Sequence, residues 1–133
     1  MVPEKLGIVL LCCALMACSN NQEPKMNSAA SALTKLTANV EAEILYGTGA
    51  KDVSDRAVID KAFEENPMLK PELGANDILL RRGDKGVVVL MCTHDRGTSL
   101  LEDLSCTPQM DQHHWRDAPG RACMFSMSPD ACP

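Results

Sequence analysis

Four cysteines in the C-terminal part of the chain, Cys92, Cys106, Cys123 and Cys132, restrict the possible folds more than any other feature. A chain of 133 residues can build only a small core, and a small core gains stability from covalent cross-links. An even number of cysteines beyond the first 18 residues is typical of disulfide-bonded proteins from oxidising compartments. We therefore predict two disulfide bonds among these four residues.

The first 17 residues have the three parts of an export signal. A short polar start precedes an uncharged apolar run from Leu6 to Ala17, and the sequence becomes polar directly after Cys18. This run is shorter than the roughly 20 residues that a membrane-spanning helix needs. It therefore indicates a cleaved signal peptide over residues 1–17 rather than a permanent membrane span.

The residues at the end of this segment, Leu15-Met16-Ala17-Cys18, resemble the lipobox of bacterial lipoproteins. The resemblance is confined to the signal segment and implies a lipoprotein precursor that is cleaved before Cys18. It also implies that Cys18 carries several acyl chains, such as palmitate, which together give stable attachment to a membrane. Because Ser19 differs from the Asp of inner-membrane retention signals, we expect an outer-membrane lipoprotein facing the periplasm, with surface exposure as the alternative.

Beyond the lipid-modified residue, the sequence predicts a tether and one domain. Segment 18–30 is polar, contains small residues and lacks apolar periodicity, as flexible tethers do. Residues 31–133 are the predicted single small domain. The net charge of −5, the low aromatic content and the lack of a basic stripe argue against nucleic-acid binding.

Apolar residues at spacings of three and four predict two helices in this domain. The first extends over Ser31–Tyr46 and is capped by its first residue. The second extends over Ser54–Glu65, with Ser54 or Asp52 as its N-cap. Residues 68–76, which contain Pro71 and Gly74, are a predicted connector that could include one helical turn.

The periodicity then changes to that of strands. Strand-like segments occur at 77–82, 87–93 and 98–107. Four-residue turns separate them, and we expect a left-handed glycine in each turn. Residues 108–133 have no regular pattern, although 122–127 could add a short strand. The predicted fold class is α+β: two N-terminal helices packed on a three- to four-stranded antiparallel sheet, with a disulfide-pinned C-terminal tail.

The hairpin register limits how the cysteines can pair. In a regular hairpin, Cys106 lies about six residues beyond the position opposite Cys92, which is on the order of 20 Å. Because a disulfide joins Cα atoms about 4.4–6.8 Å apart, Cys92 and Cys106 cannot pair with each other. Each must bind one cysteine of the tail, and we favour Cys106–Cys123 with Cys92–Cys132.

Histidines near the C-terminus are the candidate metal ligands. His113 and His114 are adjacent, and Met110 lies close by in the sequence, so imidazole and thioether groups together would suit copper. Surface histidines in a polar loop explain the same pattern, so neither a metal nor another cofactor is assigned.

The sequence also identifies no catalytic residue. Ser99, Ser105 and Ser126 lack the neighbours that would mark a nucleophile. Glu102 and Asp103 are adjacent in a predicted strand, where they point to opposite faces, and we expect them on the solvent side or at an edge.

These features favour a non-enzymatic, lipid-anchored envelope protein that binds another envelope or secreted protein. Accessory, inhibitor, immunity and exclusion factors all belong to this class. One alternative is a periplasmic copper-binding protein that uses His113, His114 and a nearby methionine. Titration with copper of the wild type and of the variant with both histidines replaced by alanine would separate the two. A small hydrolase with an unrecognised site is the other alternative.

Overall fold

The computed structural model describes residues 22–47, 49–73, 75–106, 110–115 and 122–132. Its helices are α1 (Gln22–Tyr46), α2 (Asp55–Glu65) and α3 (Leu69–Leu73), and single 3-10 turns span Ala50–Asp52 and Pro129–Ala131. Its strands are β1 (Asp77–Arg82), β2 (Gly86–Cys92), β3 (Ser99–Cys106) and β4 (Met110–Trp115). They form one antiparallel sheet in the order β1-β2-β3-β4. The helices pack on this sheet, so the predicted α+β class is confirmed.

Helix α2 begins within one residue of its predicted start and ends at its predicted end. The Ser54 side chain accepts a hydrogen bond from the Ala57 N–H at 3.2 Å, which makes Ser54 the N-cap and satisfies one of the free amides of the first turn. Val58, Ile59 and Ala62 are buried on one side of the helix. The apolar stripe read from the sequence is therefore the side that packs into the core.

Helix α1 is longer than predicted, since it begins at Gln22 and contains Ser31 in its interior. Ala29 and Ala30 are buried in the core, and this part of the chain packs near α3. The predicted tether over 18–30 is therefore wrong from residue 22 onward. Small side chains are buried here by a close helix–helix contact, which apolar periodicity does not reveal.

Both faces of the sheet are covered. Val87, Val89 and Met91 belong to the core between the sheet and the helices, whereas Val88 belongs to a second cluster on the opposite face. That opposite face is covered by residues 122–132, which we call the C-terminal strap. Its coverage explains why every residue of β2 is buried.

The fourth strand lies at a different place from the one suggested by the sequence. Residues 122–127 form no strand, and β4 instead pairs with β3 from Cys106 opposite Met110 to Leu101 opposite Trp115. The β4 sequence has no apolar alternation, so this strand is specified by pairing with a neighbour.

The turn between β2 and β3 is held by polar contacts. The Asp95 carboxylate accepts hydrogen bonds from the Thr93 hydroxyl at 2.6 Å and from the Gly97 N–H at 2.9 Å. The left-handed residue of this turn is Arg96, with φ of 57°, and not the expected glycine. Arg96 Nε binds Asp77 Oδ2 at 2.7 Å and so links the turn to the start of β1.

Because of this link, we expect the stability of the fold against urea to depend on pH. The Arg96 guanidinium lowers the pKa of Asp77 below its ordinary value, and the Thr93 hydroxyl does the same for the pKa of Asp95. A carboxyl with a lowered pKa in the folded state stabilises the fold above its unfolded pKa, and that contribution disappears as the pH falls through the folded value. We expect Asp77→Asn to lower the urea midpoint at pH 7, and we expect its difference from the wild type to shrink progressively as the pH falls below about 4. Asp84→Asn makes the same chemical change at the exposed β1–β2 turn and is the control. A difference in urea midpoint between the wild type and Asp77→Asn that is as large at pH 3 as at pH 7 would contradict the expectation.

Candidate functional site

Two disulfides fix the C-terminal strap on the sheet. Cys92 bonds to Cys123 with Cα atoms 5.7 Å apart, and Cys106 bonds to Cys132 with Cα atoms 5.5 Å apart. The prediction that each sheet cysteine binds one tail cysteine is confirmed. The favoured arrangement, Cys106–Cys123 with Cys92–Cys132, is wrong.

The direction of the strap explains the correct pairing. Strand β4 runs back along β3 and places Trp115 opposite Leu101, near the end of β3 that begins at Ser99. The chain therefore reaches the Cys92 end of the sheet before the Cys106 end. The strap then runs in the same direction as β3, so its first cysteine meets Cys92.

Polar side chains of β3 also hold the strap, on both sides of Cys123 and farther along toward Cys132. The Ser99 hydroxyl donates to the Ala122 carbonyl at 2.7 Å and accepts from the Met124 N–H at 3.2 Å. Glu102 Oε1 accepts from the N–H groups of Ser126 and Met127 at 2.9 Å and 2.8 Å, and Oε2 accepts from the Ser126 hydroxyl at 2.6 Å. The Glu102 carboxylate therefore fixes the backbone of the strap at Ser126 and Met127, and it also accepts a hydrogen bond from the Ser126 hydroxyl.

Glu102 and Asp103 lie on opposite faces of the sheet, as predicted, but neither is on the solvent side. Glu102 is only 3% exposed and lies under the strap, whereas Asp103 is fully buried on the face that carries the helices. Ser105 lies on the same face as Asp103 and is also buried. These residues are far less accessible than the strand pattern suggested, because that pattern cannot show that both faces are covered.

Buried polar side chains occur on α1 and on β3, two elements that contact each other, and the sequence did not predict their burial. Thr37 and Glu41, one turn apart on α1, are buried, and so are Asp103 and Ser105 of β3. The Thr37 hydroxyl donates to the Leu33 carbonyl at 2.8 Å. The i, i+4 spacing of Thr37 and Glu41 beside the apolar stripe was the available sequence signal. With Glu41 at 7% exposure and Asp103 at 0%, both carboxylates are closed off from a substrate in this structure.

The histidine positions fall on β4. The register places His113 opposite Asp103 and His114 opposite Glu102, so the two positions belong to opposite faces of the sheet. The side chains of Met110, His113 and His114 lie outside what the structure describes, and copper binding by them stays a prediction. Among the described side chains, no group of three His, Cys, Asp or Glu residues could hold a metal ion.

An exposed apolar surface lies at the C-terminal end of α1. It consists of Leu45, Tyr46 and Val53, which are 38%, 76% and 41% exposed, and we call it the α1-end patch. Tyr46 ends α1, and Val53 follows the 3-10 turn that contacts this helix. Exposed aromatic and aliphatic side chains in one area are typical of protein-binding surfaces.

Comparisons with models of protein families, with curated proteins and with solved structures found no match to this chain. The predicted signal peptide and Cys18 lie outside the described residues. Within the described part of the chain, no helix is both long and apolar enough to span a membrane.

Proposed function

We propose that the protein is a non-enzymatic lipoprotein of the bacterial envelope, held on the outer membrane through Cys18, that binds another envelope or secreted protein. In this proposal the signal peptide directs export and the domain faces the periplasm. The α1-end patch is the surface that receives the partner.

The two disulfides support the proposed compartment. Both connect a buried cysteine of the sheet to the strap, with Cα separations inside the range that unstrained disulfides adopt. Disulfides of this kind persist in the periplasm and outside cells but are rare in a reducing cytoplasm. They therefore agree with the export that the signal segment predicts.

The observation that carries the binding proposal is the exposure of Tyr46. The chain contains one Tyr, one Trp and two Phe residues, yet 76% of the surface of Tyr46 is left in solvent. A tyrosine offers a large apolar area and a hydroxyl at a small cost in side-chain entropy, which is why tyrosines are enriched in binding hot spots. The next residue of α1, Leu45, and Val53 after the neighbouring 3-10 turn are also exposed.

The position of the patch on α1 also suits this role. Helix α1 has 25 residues and rises about 36 Å from Gln22 to Tyr46 at 1.5 Å per residue. The patch is thus at the end of the helix that is farther from the predicted lipid at Cys18. A membrane-held protein that presents its patch there can reach a partner away from the bilayer.

Site-specific photo-crosslinking in cells tests this function. A photoreactive phenylalanine analogue at Tyr46 should give one discrete crosslinked product, whereas the same analogue at Ala38, an exposed position on α1, should give little. Tyr46→Ala should reduce recovery of the crosslinked partner by co-purification at least severalfold without lowering the thermal midpoint, because the side chain has few buried contacts. Equal crosslinking from both positions, or unchanged recovery with Tyr46→Ala, would refute the patch as the binding surface.

A further inference from the structure

We propose that a second copy of this chain binds along the free edge of β1 in an antiparallel register centred on Leu79. The two four-stranded sheets would then form one continuous sheet across a two-fold axis. This interaction surface runs along β1 and meets the α1-end patch only at Arg82, whose guanidinium donates to the Val53 carbonyl at 2.7 Å. The proposal is argued from β1 and the residues that contact it, independently of the patch.

The first observation is that β1 lies at an edge of the sheet and, among the described residues, pairs only with β2. The Gly83 N–H donates to the Gly86 carbonyl at 2.9 Å, which fixes the alternation of hydrogen bonds along the hairpin. Leu79 consequently directs its backbone groups toward β2. Ile78 and Leu80 direct theirs toward the free edge, where they can pair with another strand.

The second observation is that the sequence of β1 is complementary to itself in one register. When Leu79 opposes Leu79 of a second copy, Ile78 opposes Leu80, and the outward backbone groups of these two residues meet. In the same register Asp77 opposes Arg81, so each end of the pairing brings together opposite charges. A shift by two residues loses this match, and a shift by one places side chains on the wrong faces.

The third observation concerns the exposure and the ion pairs of the β1 side chains. Arg81 is exposed and forms no ion pair with a described residue, and Leu79 is only half-buried. Asp77 binds Arg96 through Oδ2, while Oδ1 lies 3.6 Å from His94 Nδ1 at the exposed rim of the sheet. A charged residue such as Arg81 normally protects an edge strand from pairing. Asp77 of a second copy would pair with the charge of Arg81 and so permit the two strands to associate. A strand without an acidic residue at this position would leave the Arg81 charge unpaired.

Sedimentation velocity of the full chain, processed in cells and purified in a mild detergent, tests the proposal. The wild type should show a concentration-dependent dimer. Arg81→Asp replaces two cross-strand attractions by two repulsions and should weaken the dimer about tenfold. Lys85→Asp, which makes the same charge change at the exposed β1–β2 turn, should leave the dimer unchanged.

A covalent readout makes the register itself testable. In the proposed register, Leu79 of one copy lies opposite Leu79 of the other in a non-hydrogen-bonded pair, where Cα atoms are about 4.5 Å apart. Leu79→Cys should therefore form a disulfide-linked dimer under oxidation. Met68→Cys, at an 80% exposed position between α2 and α3, is the control and should remain unlinked. A wild type that stays monomeric throughout the concentration range overturns the proposal. So does a dimer that Arg81→Asp does not weaken, or crosslinking that is equal at residues 79 and 68.

Discussion

Replacing Cys106 and Cys132 together by serine is expected to lower the free energy of unfolding by about 2–5 kcal/mol. The disulfide between them closes a segment with a sequence separation of 26, for which the chain-entropy relation gives roughly 3.5 kcal/mol. Both sulfurs also lie in the apolar cluster under the strap, so the serine hydroxyls would be buried there. Urea unfolding of the two oxidised proteins measures the difference.

The Cys92–Cys123 disulfide provides the comparison. Its sequence separation is 31, so chain entropy alone predicts nearly the same loss for the variant with both of these residues replaced by serine. Cys123 is half-buried rather than buried, and Ser99 still binds the strap beside it, so we expect the smaller loss of the two. An equal or larger loss would show that burial of the Cys106–Cys132 disulfide adds nothing. Peptide mapping that joins Cys106 to Cys123 would contradict the structure itself.

Gly86→Ala is expected to destabilise the protein by about 1–3 kcal/mol, because it overpacks a site that has no space for a methyl group. A Cβ atom at Gly86 would lie 2.5 Å from Cys132 Sγ and even closer to the Ser105 carbonyl oxygen. Neither atom can rotate away, since one belongs to a backbone and the other to a disulfide. Thermal unfolding of the oxidised variant measures the effect.

Gly97→Ala is the matched control for this substitution. The atom nearest to its Cβ would be Asp95 Oδ1 at 3.1 Å, so the exposed carboxylate needs to shift by only a few tenths of an ångström, which its hydrogen bonds to Thr93 and Gly97 tolerate far better than the contacts at Gly86 do. We also expect Gly86→Ala to cost less free energy of unfolding in the background with serine at positions 106 and 132, because the side chain at 132 is then smaller and can rotate away from the new methyl group. A fully additive cost in that background would mean that the disulfide does not restrict this position.

Most of the elements could be predicted because their sequences carry an independent local signal. Strand β1 was predicted with its observed bounds, β2 and β3 within one residue, and α2 with its cap. In each case alternation or helical spacing of apolar residues coincides with a turn or capping residue. The part of α1 before Ser31 and strand β4 have no apolar periodicity next to a turn or capping residue. Their structure is decided by contacts with other elements, which the local sequence does not reveal.

The buried polar groups could not be predicted for a related reason. Strand alternation placed Glu102 and Asp103 on opposite faces, but it could not show that the strap and α1 cover those faces. The disulfide pairing depended on β4, because that strand decides which end of the sheet the strap reaches first. A missed strand therefore led directly to the wrong connectivity. The predicted copper ligands and the lipid site at Cys18 concern side chains outside the described structure, and they stay predictions.

The interleaved connectivity of the disulfides has a consequence for biosynthesis. In chain order the first cysteine of the domain joins the third, and the second joins the fourth. A polypeptide that crosses a membrane from its N-terminus and meets an oxidant as it emerges presents Cys92 and Cys106 first, and these two are not partners. Oxidation in order of emergence thus produces a mispaired species that only thiol–disulfide exchange can correct. If the protein is exported as proposed, its maturation should accordingly depend on a disulfide isomerase as well as on an oxidase.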